Sequence, residues 1–196
     1  RLEAGAAIGA AARAHVDGAL DGMDDLIKCY DEVAFEEDRG TSNYYGFDSA
    51  RLVRREAAGV VAAITPWNVP LYVNIGKVIA ALLAGCTVIL KPAPDTPKMG
   101  AYMGELAAEA GIPAGVLNVI TSLEPAMAGE MLVADPRIDV ISFTGSTGVG
   151  RRIREKTAGS GKHLTLELGG KSPFIVFEDA DIDSAVEGVV DAIWFN

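Results

Sequence analysis

Ile138-Asp139-Val140-Ile141-Ser142-Phe143-Thr144-Gly145-Ser146-Thr147-Gly148-Val149-Gly150 is the stretch whose reading decides the fold. Ile138 to Phe143 is rich in apolar and β-branched residues and reads as a strand. Thr147 to Thr157 reads as a helix. Between them lie one glycine and one serine, so strand passes to helix in a single short turn. The free N–H groups at such a helix start attract a phosphate, and the helix dipole adds to that attraction. Gly145 admits close approach, and Ser146 offers a hydroxyl. The spacing is neither the GxGxxG dinucleotide fingerprint nor a Walker motif. Taken alone, it also fits a tight turn closed by a serine cap.

Working outward, the same alternation repeats. Leu52 to Glu56, Gly59 to Ile64, Thr87 to Leu90 and Val116 to Ile120 read as strands. So do Leu164 to Leu168 and Pro173 to Phe177. Helices are expected from Pro70 to Leu83, Pro97 to Ala110, Pro125 to Val133 and Ile182 to Trp194. In the last of these, Ile182, Ala185, Val186, Val189, Val190 and Ile193 form one apolar stripe. Strands alternating with helices predict an α/β fold: a parallel sheet with helices on both faces. Ahead of it, Arg1 to Ala19 and Asp24 to Glu37 read as N-terminal helices, and Gly40 to Ser49 as a polar connection. The expected division is 1–50 for these helices and the connection, and 51–196 for the sheet domain.

Ligands on such sheets bind beyond the carboxyl ends of the strands. Three further sites there carry chemistry. Leu90-Lys91-Pro92 ends an apolar strand in an ammonium, suited to ribose hydroxyls or a phosphate, or simply solvated. Thr65-Pro66-Trp67-Asn68 is a turn whose asparagine amide can donate to a developing oxyanion, though Asn and Pro are also ordinary turn residues. Leu164-Thr165-Leu166-Glu167-Leu168-Gly169-Gly170-Lys171 holds one carboxylate among leucines at a strand end. That is a place for a general base, or for an exposed strand glutamate before a turn. Its leucine neighbours are expected to shield Glu167 in part.

Composition narrows the partners. The 196 residues carry a net charge of −10. Nucleic acid and anionic membrane surfaces need clustered Lys and Arg, so neither is expected as a partner. Cys29 and Cys86 form no disulfide framework and no metal-ligand pattern, which fits a reducing, cytoplasmic setting. Val78 to Leu90 is the longest apolar run; Gly85 interrupts it, and it falls short of the ~18 residues of a spanning helix.

Together and in this order, the four strand-end and turn motifs resemble the NAD(P)-dependent aldehyde dehydrogenase superfamily, roughly from Arg51 to Asn196. Leu166 to Pro173 is similar to its glutamate signature, and Phe143 to Gly150 to its pyrophosphate turn. Pro66-Trp67-Asn68 resembles its oxyanion asparagine motif, and Leu90-Lys91-Pro92 its ribose lysine motif. The resemblance implies a variant Rossmann-type nucleotide-binding domain. It implies that Asn68 holds an oxyanion and Glu167 activates the water that hydrolyses a thioester. Lys91 would take the adenosine ribose, and Ser146 with the helix after Gly145 the pyrophosphate. Ile64, Pro66 and Trp67 would line the cofactor cleft. Further cofactor contacts are implied at Gly129, Phe143, Val149, Gly150, Leu168 and Gly169. Lys77 matches a lysine near the reacting centre, with its role open.

The implied reaction oxidises an aldehyde to a carboxylic acid through a cysteine thioester. NAD stands slightly ahead of NADP, and the complete protein would be a homodimer or homotetramer. The sequence also departs from the family. The nucleophilic cysteine is expected beyond Asn196, with the substrate-binding and oligomerisation regions, and neither Cys29 nor Cys86 replaces it. Pro94 stands where many NAD-preferring members carry a glutamate, and Ser122 to Pro125 lacks a glycine often found there. An acylating or phosphorylating member and a non-catalytic nucleotide-binding fragment are the alternatives.

Overall fold

In the computed structural model the described residues are 3–5, 9 and 11–194. Five parallel strands form the central sheet: β3 (Val60–Ile64), β4 (Thr87–Lys91), β5 (Leu117–Val119), β6 (Val140–Gly145) and β7 (His163–Leu168). Their spatial order is β5-β4-β3-β6-β7. The chain steps outward from β3 to β5 and then returns to β6 on the other side of β3. The order therefore reverses between β3 and β6, which opens a crevice at their carboxyl ends.

Four helices connect these strands: α2 (Pro70–Leu83), α3 (Pro97–Glu109), α4 (Pro125–Ala134) and α5 (Thr147–Lys156). Three of them begin at a proline. Proline suits a first turn because its missing N–H would have no helical partner there. Two apolar clusters fill the two faces of the sheet. Val61, Ala63, Val88 and Leu90 meet Ile75 and Val78 of α2 and Met103 of α3. Ala62, Ile64, Ile141 and Phe143 meet Leu132 and Val133 of α4 and Ile153 of α5. Alternate strand residues thus serve opposite faces, and a parallel sheet covered on both sides follows.

The N-terminal region differs from the sequence reading. A π-helical turn, Ala11–Asp17, runs into α1 (Gly18–Asp31), whose Ala19 packs in the α2 cluster. The helix expected to reach Glu37 stops at Asp31, because Val33 and Phe35 lead into a strand. Arg1 to Ala10 fall largely outside the described residues. The expected connection, 40–49, is instead most of a hairpin, β1 (Glu36–Tyr44) and β2 (Phe47–Arg54). Tyr45 and Gly46 both have positive φ, the two-residue turn that matches strand twist. Gly40, at φ +70°, supplies a bulge where the register shifts between Asp38 and Thr41. β2 continues past residue 51.

At the other end, Pro173 to Phe177 is not a strand. It is exposed, and helix α6 (Ile182–Trp194) follows with its apolar stripe open to solvent: Ile182, Val186, Val190 and Ile193 are 48–65% exposed. β7 is an edge strand, and these residues find no sheet to join.

Candidate functional site

The carboxyl ends of β3, β4 and β6 border a cleft of about 550 Å³. Ile64, Pro66 and Trp67 line it from β3 and its following turn, Lys91 from β4, and Phe143, Gly145 and Ser146 from β6. α4 and α5 form the facing wall with Pro125, Ala126, Gly129, Val133, Val149 and Ile153. Thr65 N–H donates to Lys91 C=O at 3.2 Å, which ties the β3 and β4 ends together.

Each strand end has a local cause. Lys91 alternates in β4 with Leu90, so its side chain leaves the strand on the α4–α5 face. It is only 5% exposed. Burial pushes its ammonium below the ordinary lysine value, and among the described residues no carboxylate pairs with it. Gly145 is a glycine because of its neighbour: a Cβ there would come 2.6 Å from Cζ of Phe143. Ser146 is the N-cap of α5, and its Oγ accepts from Val149 N–H at 3.4 Å. That leaves the Thr147 and Gly148 N–H groups without intrahelical partners at the positive end of the helix dipole, next to Ser146 and Val149 of the cleft wall. The cap and the phosphate seat are therefore compatible readings of one serine.

Gly150 and Leu168 stand behind that turn, outside the cleft lining. A Cβ on Gly150 would fall within the Leu168 side chain, so this glycine sets how closely α5 approaches β7. Gly169 joins the same contact: its carbonyl accepts from Thr147 Oγ1 at 3.4 Å.

Asn68 and Glu167 also lie outside the cleft lining. Glu167 pairs in register with Thr144, and Thr165 with Ser142. These residues belong to the sheet face covered by α2, opposite Phe143 and Leu166. Lys77 of α2 reaches the same face, its Nζ donating to Ser142 Oγ at 2.8 Å. Burial lowers the Lys77 pKa, and the Glu167 carboxylate partly offsets that. Asn68 is half-buried in the turn leading to α2. Glu167 itself is exposed, as is Leu168, so the expected shielding by leucines is not found in these residues. A strand-end side chain that alternates away from the core has no packing partner unless another layer covers it.

The structure adds residues that the sequence reading missed. Asp95 lines the cleft four residues after Lys91. Arg152 and Lys156, one helical turn apart on α5, both pair with Glu130 of α4, at 2.5 and 3.4 Å. Their i, i+4 spacing was visible, but their partner on a separate helix was not. Three lining cations, Lys91, Arg152 and Lys156, face two carboxylates, Asp95 and Glu130. The cleft is thus net positive in a chain of net charge −10. Cys86 is buried in the α2 cluster and Cys29 is exposed on α1; neither lines the cleft. Among the described residues no cluster of metal-ligating side chains occurs, and no helix is long and apolar enough to cross a membrane.

A doubly covered parallel sheet, a crevice at its switch point, and a helix start beside a strand-end lysine define a Rossmann-type nucleotide-binding protein. The family profile described as "Aldehyde dehydrogenase family" matches residues 1–196, and the chain belongs to that family. It is 49% identical over 149 residues to the NADP(+) succinate-semialdehyde dehydrogenase GabD of Escherichia coli (strain K12), covering 76% of this chain and 31% of that one. It is 50% identical over 143 residues to the phenylacetaldehyde dehydrogenase of Pseudomonas fluorescens, covering 73% and 28%. The NAD+ complex of the aldehyde dehydrogenase from Bacillus cereus superposes with a TM-score of 0.89 at 37% identity, covering 98% of this chain and 38% of that one. The chain thus spans about a third of the length of these relatives.

Proposed function

We propose that this chain is the nucleotide-binding part of an enzyme that oxidises an aldehyde to a carboxylic acid with NAD or NADP. One observation carries the reading: a single strand layer presents two different chemistries on its two faces. The α4–α5 face offers a positive cleft with a free helix start, as a dinucleotide needs. The α2 face offers Lys77 and Glu167, and Asn68 sits in the turn that leads into α2, as an acyl transfer needs. In this reading Lys91 holds the adenosine ribose and the Thr147 and Gly148 N–H groups receive the pyrophosphate. The dinucleotide accepts the hydride when bound. Asn68 donates to the oxyanion formed when a thiolate adds to the aldehyde. Glu167 then takes the proton from the water that releases the acid. The thiolate comes from a cysteine other than Cys29 and Cys86: Cys29 is on α1, and Cys86 is buried at the amino end of β4, away from the carboxyl ends that carry the site. Residues 51–196 are the binding unit in this proposal, and 1–50 its N-terminal attachment.

We place NAD ahead of NADP. Asp95 puts a carboxylate on the wall of the same cleft as Lys91, where it would accept from ribose hydroxyls and repel a 2′-phosphate. The NADP(+) in the name of the Escherichia coli relative supports the second reading, in which Lys91 pairs with that phosphate. The substrate class stays at aldehydes, because the relatives' named substrates run from succinate semialdehyde to phenylacetaldehyde. We also place the complete protein in the cytoplasm as a homodimer or homotetramer; the free thiols and the exposed β1–β2 hairpin support this.

The test is titration of the chain with NAD and NADP, followed through tryptophan fluorescence. Trp67 lines the cleft, so saturable quenching is expected, tighter for NAD, and lost in Trp67→Phe. No response to either nucleotide, with calorimetry also silent, overturns the reading.

A further inference from the structure

Glu3 lies against the start of α3. Its Oε1 accepts from Lys98 N–H at 2.6 Å and its Oε2 from Met99 N–H at 3.2 Å. These are N–H groups that a helix's first turn leaves without an internal partner. Pro97, the residue before them, has none to offer. A carboxylate here also meets the positive end of the helix dipole. The N-cap residue, Thr96, does not perform this role: it is fully buried, and its Oγ1 makes no hydrogen bond among the described residues. Glu3 thus supplies, from 95 residues away in the chain from Lys98, what Ser146 supplies locally to α5.

The first turn of α3 is coupled to the cleft by contacts on each side. A Cβ on Gly100 would come 2.7 Å from Cγ of Pro92, so the helix is seated directly on the residue after Lys91. Thr96 N–H donates to Ala93 C=O at 3.1 Å and closes the loop between them. Ala93, Pro94 and Asp95 of that loop are cleft wall.

We propose that Glu3 is a positioning residue for the nucleotide cleft: its carboxylate fixes the first turn of α3, and through Gly100 and Pro92 that turn holds Lys91 and the Ala93–Asp95 wall in place. This rests on the nucleotide-binding reading above. A side chain in the N-terminal segment then governs the ribose end of a site it never touches.

The test compares the 196-residue chain with Glu3→Ala, Glu3→Gln and Glu3→Asp by amide hydrogen exchange and by NAD titration, at a temperature where all four are folded. In Glu3→Ala, Lys98 and Met99 lose protection, and so does Thr96, which reports the cleft loop without any ligand. The NAD dissociation constant rises by about fivefold, the scale of a lost helix cap acting on the binding-competent fraction. Glu3→Asp recovers part of both effects, and Glu3→Gln less. A cap that serves only stability lowers the melting temperature and leaves the dissociation constant and Thr96 protection unchanged; that result overturns the proposal. If the unaltered chain binds no nucleotide, the cofactor reading fails separately. Thr96 protection then decides the clamp: its loss in Glu3→Ala upholds it, and its retention overturns it.

Discussion

Lys77 Nζ donates to Ser142 Oγ across the interface between α2 and β6, at 2.8 Å. This bond holds an ammonium over the middle of the sheet, on the face that also carries Glu167. Burial lowers the pKa of Lys77, and that of Lys91 on the opposite face, below the ordinary lysine value.

Both shifts predict the sign of an alkaline pH dependence. A lysine whose folded pKa lies below its unfolded one binds fewer protons in the folded state between the two values. Stability therefore rises as pH climbs from the folded pKa towards the unfolded value near 10.5, and falls again on the way down. Lys77→Met and Lys91→Met should each flatten part of that rise. Urea midpoints measured from pH ~8 to ~10.5 check it. A wild-type midpoint that falls steadily over this window would contradict the assignment of burial as the cause.

Gly145 is predicted to tolerate no larger residue while Phe143 keeps its ring. Gly145→Ala places a Cβ 2.6 Å from Cζ of Phe143, and such overpacking costs ~1–3 kcal/mol. Gly145→Val adds bulk on the cleft side and should also weaken nucleotide binding. Phe143→Leu in the Gly145→Ala background should recover part of the lost stability, since it removes the atom that collides. Thermal melts of the single and double variants, with an NAD titration of each, decide the matter. Equal losses from the two changes taken separately and together, with no recovery, would mean the ring is not the obstacle.

The sequence was most informative where a residue's partner lies nearby in the chain. Pro70, Pro97 and Pro125 mark helix starts by their own chemistry, and each start is found there. The turn at Gly145–Ser146 is legible because strand, turn and cap lie within eight residues. The hairpin was not. Only its end at Leu52 was read as strand; β1 is mostly polar and no residue of either strand is buried, so no alternation separates the rest from a loop, and Gly40 in the bulge reads as a breaker. The Glu130 bridge to Arg152 and Lys156 depends on how α4 and α5 meet, which no local spacing reports. Pro173 to Phe177 has strand composition, but composition does not supply a neighbouring strand.

The exposed stripe of α6 leads to a prediction about self-association. Val186 and Val190 are 56% and 48% exposed one turn apart, and Phe174, Ile175 and Phe177 add more apolar surface. Contiguous apolar patches of this kind drive association. The 196-residue chain should therefore self-associate at micromolar concentration. Val186→Lys with Val190→Lys should shift it towards monomer without lowering its melting temperature, because neither side chain is buried. Sedimentation velocity against concentration checks this; a monodisperse, monomeric unmodified chain would show that the exposed stripe does not drive association.

The last prediction concerns Glu167 in the complete protein. At the end of β7 it pairs in register with Thr144, on the same face as Lys77, and two glycines follow it. In the proposed reaction a carboxylate so placed would hold a water near an acyl group on the α2 side, with the dinucleotide on the other side of the strand ends. Its role in the proposed reaction therefore falls after hydride transfer, as base for thioester hydrolysis. Glu167→Gln keeps the shape and removes the base. Steady-state turnover should fall by ~10²–10⁴-fold, the usual contribution of general-base assistance. The first-turnover burst of reduced nicotinamide should survive, and acyl-enzyme should accumulate. The 196-residue chain alone should show neither burst nor turnover, since Cys29 and Cys86 are both remote from these strand ends. Rapid-quench kinetics with mass spectrometry of the protein resolve the order of steps. Normal turnover in Glu167→Gln would reduce the residue to a solvated strand end. Loss of the burst as well would move its role earlier, to activation of the thiol, where the Lys77 ammonium held by Ser142 becomes the next side chain to vary.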